Sequence, residues 1–312
     1  MPITLPPLSR RRFLAGSLAA GAAGLLPNWL RAADEAPIDP HRLILLSDIH
    51  IDADRKMAKS NTNPWDNFRQ ATEEILKTIT PTRPFAALIN GDLTPHQGNP
   101  EDYATVLDAL APIRAAGLPL HSTLGNHDNR ANFWKALPPD DARDKSIADR
   151  QTLLIETPRA NLLVLDSLDK VTATPGLIGP EQLAWLARTL DAHAEKPAIV
   201  FTHHDPDQRT EADRKDPKKK LSGLADTQPL LDILYNRKQV KAHVFGHTHT
   251  WTHFTKDGLH SVNLPPTAWV FKEGRPQGWT DLHLTESGAT FTLNCLNPKH
   301  PQHNQTLDLK WR

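Results

Sequence analysis

Short runs of apolar residues alternate along the chain with longer segments in which apolar residues recur every three or four positions. The first run, Leu43 to Leu46, is uniformly apolar, as is typical of a strand buried on both faces of a parallel sheet. The next segment has a helical period, with Phe68, Ala71 and Ile75 on one face. The pattern therefore predicts a strand followed by a helix.

The same alternation continues through the rest of the chain. Further strands are predicted at 85–89, 119–124, 153–155, 161–165, 198–202 and 240–245, and further helices at 101–115, 179–190 and 229–235. From 251 to 296, apolar and polar residues alternate between glycine breaks, which indicates antiparallel sheet. The pattern predicts one α/β domain of two sheets with helices outside. Trp251, Trp269 and Trp279 are expected to fill its sheet core.

The N-terminus has the pattern of an export signal. Ser9-Arg10-Arg11-Arg12-Phe13-Leu14 precedes an uncharged run over 15–26, and small residues follow at Ala32-Ala33. The order resembles the twin-arginine signal, with Arg10 and Arg11 as the pair, and so implies the twin-arginine export machinery as a partner and an extracytoplasmic location. An amphipathic helix and an uncleaved anchor are the alternatives. The run is short for a bilayer span, so no stable membrane anchor is expected.

These features predict a signal peptide over 1–33, a linker over 34–40, one domain over 41–296 and a tail over 297–312. Without residues 1–33 the chain has 32 basic and 36 acidic residues, a net charge of −4. This charge argues against long nucleic acids as ligands. The single cysteine, Cys295, excludes an internal disulfide. The sequence leaves the oligomeric state open.

Five short polar motifs come directly after predicted strands. They are Asp48-Ile49-His50, Gly91-Asp92, Gly125-Asn126-His127-Asp128, His203-His204 and Gly246-His247-Thr248-His249. Ligands of open α/β sheets bind beyond the carboxyl ends of the strands. Taken alone, each motif is usually structural. His247 and His249 taken alone would be surface histidines as readily as functional ones. The ordered set is what indicates a site.

The spacing of these residues suits metal binding. Asp48 and His50 are two residues apart and point the same way if the backbone is extended there, and the same holds for His247 and His249. The two oxygens of a carboxylate such as Asp92 are able to bridge two cations at roughly 3.5–4 Å.

The ordered set resembles the calcineurin-like metallophosphoesterase family over residues 43 to about 265. The resemblance implies a four-layer α/β/β/α sandwich of two mixed sheets. It also implies two metal ions, one held by Asp48, His50, Asp92 and His249, and the other by Asp92, Asn126, His203 and His247. In the family, the residue that corresponds to His127 is not a ligand but stabilises the transition state and helps to protonate the leaving group.

The implied activity is hydrolysis of a small-molecule phosphoester by a metal-activated hydroxide. Mixed nitrogen and oxygen ligands suit Fe, Mn or Zn. The Gly91-Asp92-Leu93-Thr94 turn and His203-His204 resemble the branch of the family that contains cyclic-nucleotide and glycerophosphodiester phosphodiesterases, which implies diesters as the substrates. The chain also lacks the Gly-Asp-x-Val-Asp-Arg-Gly extension that supplies an arginine clamp in the protein phosphatases. A phosphomonoesterase or pyrophosphatase, a nuclease and a non-catalytic periplasmic metal-binding protein are the alternatives.

Three assignments stay open at this point. His203 is the expected ligand of its pair, with His204 as the alternative. Asp128 either orients a ligand or caps the following turn. His96 faces either the substrate or water.

Overall fold

The computed structural model describes residues 36–79 and 81–312; the predicted signal peptide lies outside them. The described residues form six helices: α1 (Pro64–Thr78), α2 (Pro100–Ala115), α3 (Arg130–Ala136), α4 (Pro180–Ala192), α5 (Glu211–Lys215) and α6 (Thr227–Tyr235). Their twelve strands are β1 (Ile38–Leu46), β2 (Arg83–Asn90), β3 (Leu120–Thr123), β4 (Leu153–Glu156), β5 (Asn161–Val164), β6 (Ala198–Phe201), β7 (Val240–Phe245), β8 (Thr252–Lys256), β9 (Leu259–Asn263), β10 (Gly278–Leu284), β11 (Gly288–Cys295) and β12 (Thr306–Lys310).

Two mixed sheets contain six strands each. The first has the order β12-β11-β10-β1-β2-β3, with β1, β2 and β3 parallel and the other pairs antiparallel. The second has the order β4-β5-β6-β7-β9-β8, with β5, β6, β7 and β9 parallel and an antiparallel strand at each edge.

The apolar run of β1 is buried on both faces, as its composition predicts. Leu43 and Leu45 belong to a core shared with residues of the second sheet, such as Phe201. Ile44 and Leu46 pack instead with residues of α1 and α2, such as Phe68. A third core joins the outer face of the second sheet to α4 and α6. The four-layer α/β/β/α sandwich is therefore confirmed.

Helices α1 and α2 both begin at an Asn-Pro pair, which explains where they start. The Asn63 side chain accepts hydrogen bonds from Trp65 N at 2.9 Å and Asp66 N at 3.4 Å. Pro64 occupies a first-turn position where no backbone N–H is needed. Asn99 forms a capping box with Asp102 ahead of α2.

The structure corrects three expectations, two about the ends of the domain and one about the direction of a strand. β1 begins at Ile38, inside the predicted linker over 34–40. The predicted tail over 297–312 contains β12, which pairs with β11 and completes the first sheet. The segment predicted as purely antiparallel contains β9, which runs parallel to β7. The pairing of β12 and the direction of β9 depend on tertiary contacts, which local patterning does not encode.

Candidate metal centre

The predicted site residues come together where five strands end. Asp48 and His50 follow β1, Asp92 follows β2, and Asn126 and His127 follow β3 in the first sheet. His203 follows β6, and His247 and His249 follow β7 in the second sheet. The carboxyl ends of parallel strands from both sheets thus meet at one edge of the sandwich, as expected for a ligand site in an α/β fold.

Two groups of potential ligands lie side by side at this edge. One consists of Asp48, His50 and His249, and the other of Asp92, His203 and His247. Within each group, the candidate ligand atoms lie within 4.8 Å of one another. Asp92 connects the groups, because its Oδ2 is 3.3 Å from His203 Nε2 and 3.7 Å from His50 Nε2. A single carboxylate oxygen therefore faces both groups.

Backbone carbonyls fix which nitrogen of three histidines faces the site. Nδ1 of His50 lies 3.1 Å from Thr94 O, Nδ1 of His203 lies 2.8 Å from Asn90 O, and Nδ1 of His249 lies 2.5 Å from Trp269 O. A carbonyl oxygen only accepts, so each Nδ1 carries the hydrogen and donates it. In the neutral imidazole, an Nδ1–H held in this way leaves the lone pair on Nε2 facing the site, which is how histidine binds a metal.

Two of these lone pairs point at each other. His50 Nε2 and His249 Nε2 are 3.2 Å apart, and neither carries a hydrogen when Nδ1 donates. In addition, Asp48 Oδ1, Asn126 Oδ1 and His203 Nε2 are buried without a hydrogen-bond partner among the described residues. Buried polar atoms normally have partners. Cations placed among these atoms would satisfy all of them, so the residues fit a pair of metal ions.

The electrostatics of the site also favour positive charge. Burial alone would raise the pKa of Asp92, yet His203 and His50 hold this pKa well below its usual range. Burial alone would lower the pKa of His203, but the Asp92 and Asp48 carboxylates raise it to about 10. Burial lowers the pKa of His50 to about 3. The ionised carboxylates of Asp48 and Asp92 thus lie in a buried site beside the neutral imidazole of His50.

The backbone at the candidate ligands is not extended, contrary to the expectation for Asp48–His50 and His247–His249. Asp48, His50, His247 and His249 have φ values of 52°, 45°, 66° and 49°. Non-glycine residues seldom adopt such values, which cost of order 1–3 kcal/mol each. Hydrogen bonds to the loop after β2 hold two of them, from Asp48 N to Gly91 O at 3.1 Å and from His50 N to Asp92 O at 3.0 Å.

Gly91 and Gly125 allow the loops to approach one another closely. A Cβ atom on Gly125 would collide with the Asp92 carboxylate. A Cβ atom on Gly91 would lie 2.5 Å from His203 Nδ1, and the φ of +81° at Gly91 is also unfavourable for other residues. Both positions require glycine because the site is packed around Asp92.

His127 lies beside the two groups and belongs to neither. Its backbone N–H donates to Asp92 Oδ1 at 2.9 Å, and its Nδ1 lies 2.9 Å from the carbonyl of His96. The imidazole is half-buried and lines the cavity over the cluster. The side chain of His96 turns away, with Nε2 3.2 Å from Asp52 Oδ2.

Asp128 and His204 support the site without facing Asp92. Asp128 accepts hydrogen bonds from the backbone N–H groups of Gly125 and Leu93 and from the Tyr103 hydroxyl, so it ties the loops after β2 and β3 to α2. Burial and the nearby Asp92 raise the Asp128 pKa to about 7. His204 Nδ1 contacts Ser167 Oγ at 2.8 Å, whereas His203 Nε2 faces Asp92.

A cavity of about 440 Å³ opens over the cluster, and six of its lining residues were not among the predicted site residues. Three of these six contact a candidate ligand or one another. Trp269, expected to fill the sheet core, stacks on His50 with ring centroids 4.2 Å apart. The Lys59 ammonium lies 4.3 Å from the centre of the Trp269 ring. Phe271 stacks on His249 with centroids 4.1 Å apart. These residues belong to irregular segments, whose position relative to the strand ends has no local sequence signal.

The fold and the paired Asp and His groups define a class of metal-dependent hydrolases. Residues 41–251 match the family model described as calcineurin-like phosphoesterase, and the chain belongs to that family. It is a metallophosphoesterase with two candidate metal-binding residue groups. Residues 7–27 match the twin-arginine translocation signal, so the protein is exported by that pathway. None of the helices among the described residues has the length and apolar character needed to cross a bilayer.

Similar proteins include several phosphodiesterases. A "Probable cyclic nucleotide phosphodiesterase" of Rhodococcus erythropolis is 30% identical, over 72% of this chain and 70% of that protein. The 3′,5′-cyclic adenosine monophosphate phosphodiesterase CpdA of Pseudomonas aeruginosa is 26% identical, over 82% of each chain. The glycerophosphodiester phosphodiesterase GpdQ of Enterobacter lignolyticus is 32% identical, over 40% of this chain and 43% of that protein.

Among solved structures, a dimetal phosphatase from Danio rerio superposes with a TM-score of 0.65 at 13% sequence identity. The match covers 88% of this chain and 100% of that structure. This similarity supports the fold.

Proposed function

We propose that this protein hydrolyses small phosphodiesters at a pair of metal ions. Asp48, His50, Asp92 and His249 would hold one ion, and Asp92, Asn126, His203 and His247 the other. The observation that carries this proposal is the position of Asp92 Oδ2 between His203 of one group and His50 of the other. A carboxylate oxygen in that position is suited to bridge two cations.

The ligand chemistry narrows the choice of metal. Four imidazoles, two carboxylates and one amide make a mixed nitrogen and oxygen set, which suits Fe, Mn or Zn better than Mg. The neutral amide oxygen of Asn126 would leave the second ion more electron-poor than a carboxylate would.

The metals would supply Lewis-acid polarisation of the phosphoryl group and a lowered pKa for the attacking water. The protein residues would hold and orient the reacting groups. His127 has its Nδ1–H committed to the His96 carbonyl, so its Nε2 is the atom available to the substrate. From the cavity wall, a proton on Nε2 would stabilise developing charge on phosphoryl oxygen and pass to the leaving alkoxide.

Two observations support diesters as the substrates. The relatives described above are named as cyclic nucleotide or glycerophosphodiester phosphodiesterases. The residues that line the cavity include no arginine that would grip a dianionic monoester as a bidentate clamp. Lys59 does line the cavity, and its single positive charge makes a phosphomonoesterase the second candidate.

The ratio of kcat/KM for bis-p-nitrophenyl phosphate to that for p-nitrophenyl phosphate tests the preference. The proposal predicts a ratio clearly above one under one metal condition. An Asp92→Ala preparation, purified in parallel, measures contaminating phosphatase in both assays. A ratio below one would overturn the diesterase assignment in favour of the monoesterase.

A further inference from the structure

A second, larger cavity lies beside the metal centre. Its volume is about 780 Å³, which is within the range of small-molecule pockets. The side chain of Phe271 lines both this cavity and the one over the metal ligands. The two cavities are also lined by neighbouring residues of the chain. Lys59 and Trp269 line the cavity over the metal ligands, and the residues that follow them, Ser60 and Val270, line the second cavity. A substrate whose phosphoryl group reaches the metals would therefore have room for its alcohol portion past Phe271.

Phe271 has an open aromatic face at this border. One face stacks on His249, with an angle of 17° between the ring planes. The residue is nevertheless 63% exposed, and it is one of three exposed large hydrophobic residues in the described part of the chain. A planar ring placed against the free face would cover this apolar surface and stack on it. The position favours a ligand that carries an aromatic ring close to its phosphate.

The lining of the second cavity is part polar and part apolar, and its formal charges cancel. Glu273 and Arg275 line it together and offset each other. Two amides in its wall are fixed in orientation, because Asn67 Nδ2 and Gln277 Nε2 both donate to Ala268 O, at 2.6 and 2.8 Å. No hydrogen bond among the described residues uses the side-chain oxygens of these two amides, which remain as acceptors for a ligand. A neutral ligand portion with hydrogen-bond donors fits this lining better than a second phosphate would.

We propose that this second cavity, with Phe271 as its aromatic wall, binds the nucleoside portion of the substrate. The base would stack on the free face of Phe271 and donate to the oriented amide oxygens, while the phosphoryl group lies over the metal ligands. The assignment rests on the proposed function in one respect, that phosphoryl groups bind at the metal centre. It selects nucleotide diesters over glycerophosphodiesters, whose polar head groups carry no ring.

Binding of two phosphonates to the Mn²⁺-loaded protein tests the proposal without hydrolysis. The probes are the 5′-phosphonate analogue of AMP and methylphosphonate, both with a non-hydrolysable P–C bond, and calorimetry gives the dissociation constants. We expect the nucleoside phosphonate to bind roughly tenfold or more tightly than methylphosphonate, which is the scale of base stacking on an aromatic side chain. Phe271→Leu should remove most of this advantage, measured as the ratio of the two dissociation constants within the variant, and Phe271→Tyr should retain it.

Metal content is measured in every variant, because Phe271 packs on the candidate ligand His249. Equal affinity of the wild-type protein for the two probes would overturn the subsite, and this comparison needs no substitution. Equal weakening of both probes by Phe271→Leu at full metal content would overturn it as well. Failure of the diesterase proposal is a separate result, since it appears in the ratio of diester to monoester hydrolysis and not in phosphonate binding.

Discussion

At the scale of single residues, the position of His127, and not its hydrogen bond, distinguishes it from the candidate ligand histidines. His50, His203 and His249 donate Nδ1–H to backbone carbonyls and turn Nε2 toward the carboxylates. His127 donates in the same way to His96 O but lies outside both groups of potential ligands. The structure thus separates candidate ligands from a candidate proton donor, although all four residues are histidines beside one cluster.

We expect His127→Ala to keep its metals and to lose turnover. The predicted loss is roughly 10²–10⁴-fold in kcat, the range typical of a removed acid–base group. The matched control is His96→Ala. It removes a side chain that pairs with Asp52 but retains the carbonyl that holds His127, so its kcat should change by no more than a few fold. Elemental analysis that found His127→Ala metal-free would make His127 a ligand and contradict this assignment.

At the scale of elements, the sequence predicts the strand ends well and the loops that follow them poorly. Uniformly apolar runs such as Leu43 to Leu46 locate the central strands, and a polar motif after each strand locates the site. The left-handed backbone at Asp48, His50, His247 and His249 was not predictable. For Asp48 and His50 it is held by hydrogen bonds to the loop after β2, and glycines such as Gly125 allow the loops to approach closely. Both features form only in the assembled fold.

The signal sequence is an element whose function depends on two particular residues. Replacing Arg10 and Arg11 together by lysine should leave the protein in the cytoplasm, because the receptor of the twin-arginine pathway recognises the guanidinium pair and not charge alone. Arg12→Lys is the matched control, since it makes the same change beside the pair and should be exported normally. Immunoblots of cell fractions measure the outcome. Normal export of the double variant would mean that another route is used.

At the scale of the whole molecule, the site depends on two sheets that face each other. Local patterning predicts each strand, but β12 joins the first sheet and β9 runs parallel to β7 only because of the tertiary arrangement. The same arrangement brings Lys59, Trp269 and Phe271 to the cavity from segments far apart in sequence. Motifs at strand ends therefore identified the candidate ligands, whereas the walls of the cavity required the complete fold.

The most direct test of the account is the number of metal ions per chain in active protein. Chelator-treated protein is titrated with Mn²⁺, and bound metal from elemental analysis is compared with the rate of bis-p-nitrophenyl phosphate hydrolysis. We predict two ions per chain at full activity. Asp92→Ala should lose both ions, because its carboxylate would bridge them, and Asp48→Ala should weaken mainly one. Full activity with a single tightly bound ion would contradict the dinuclear centre.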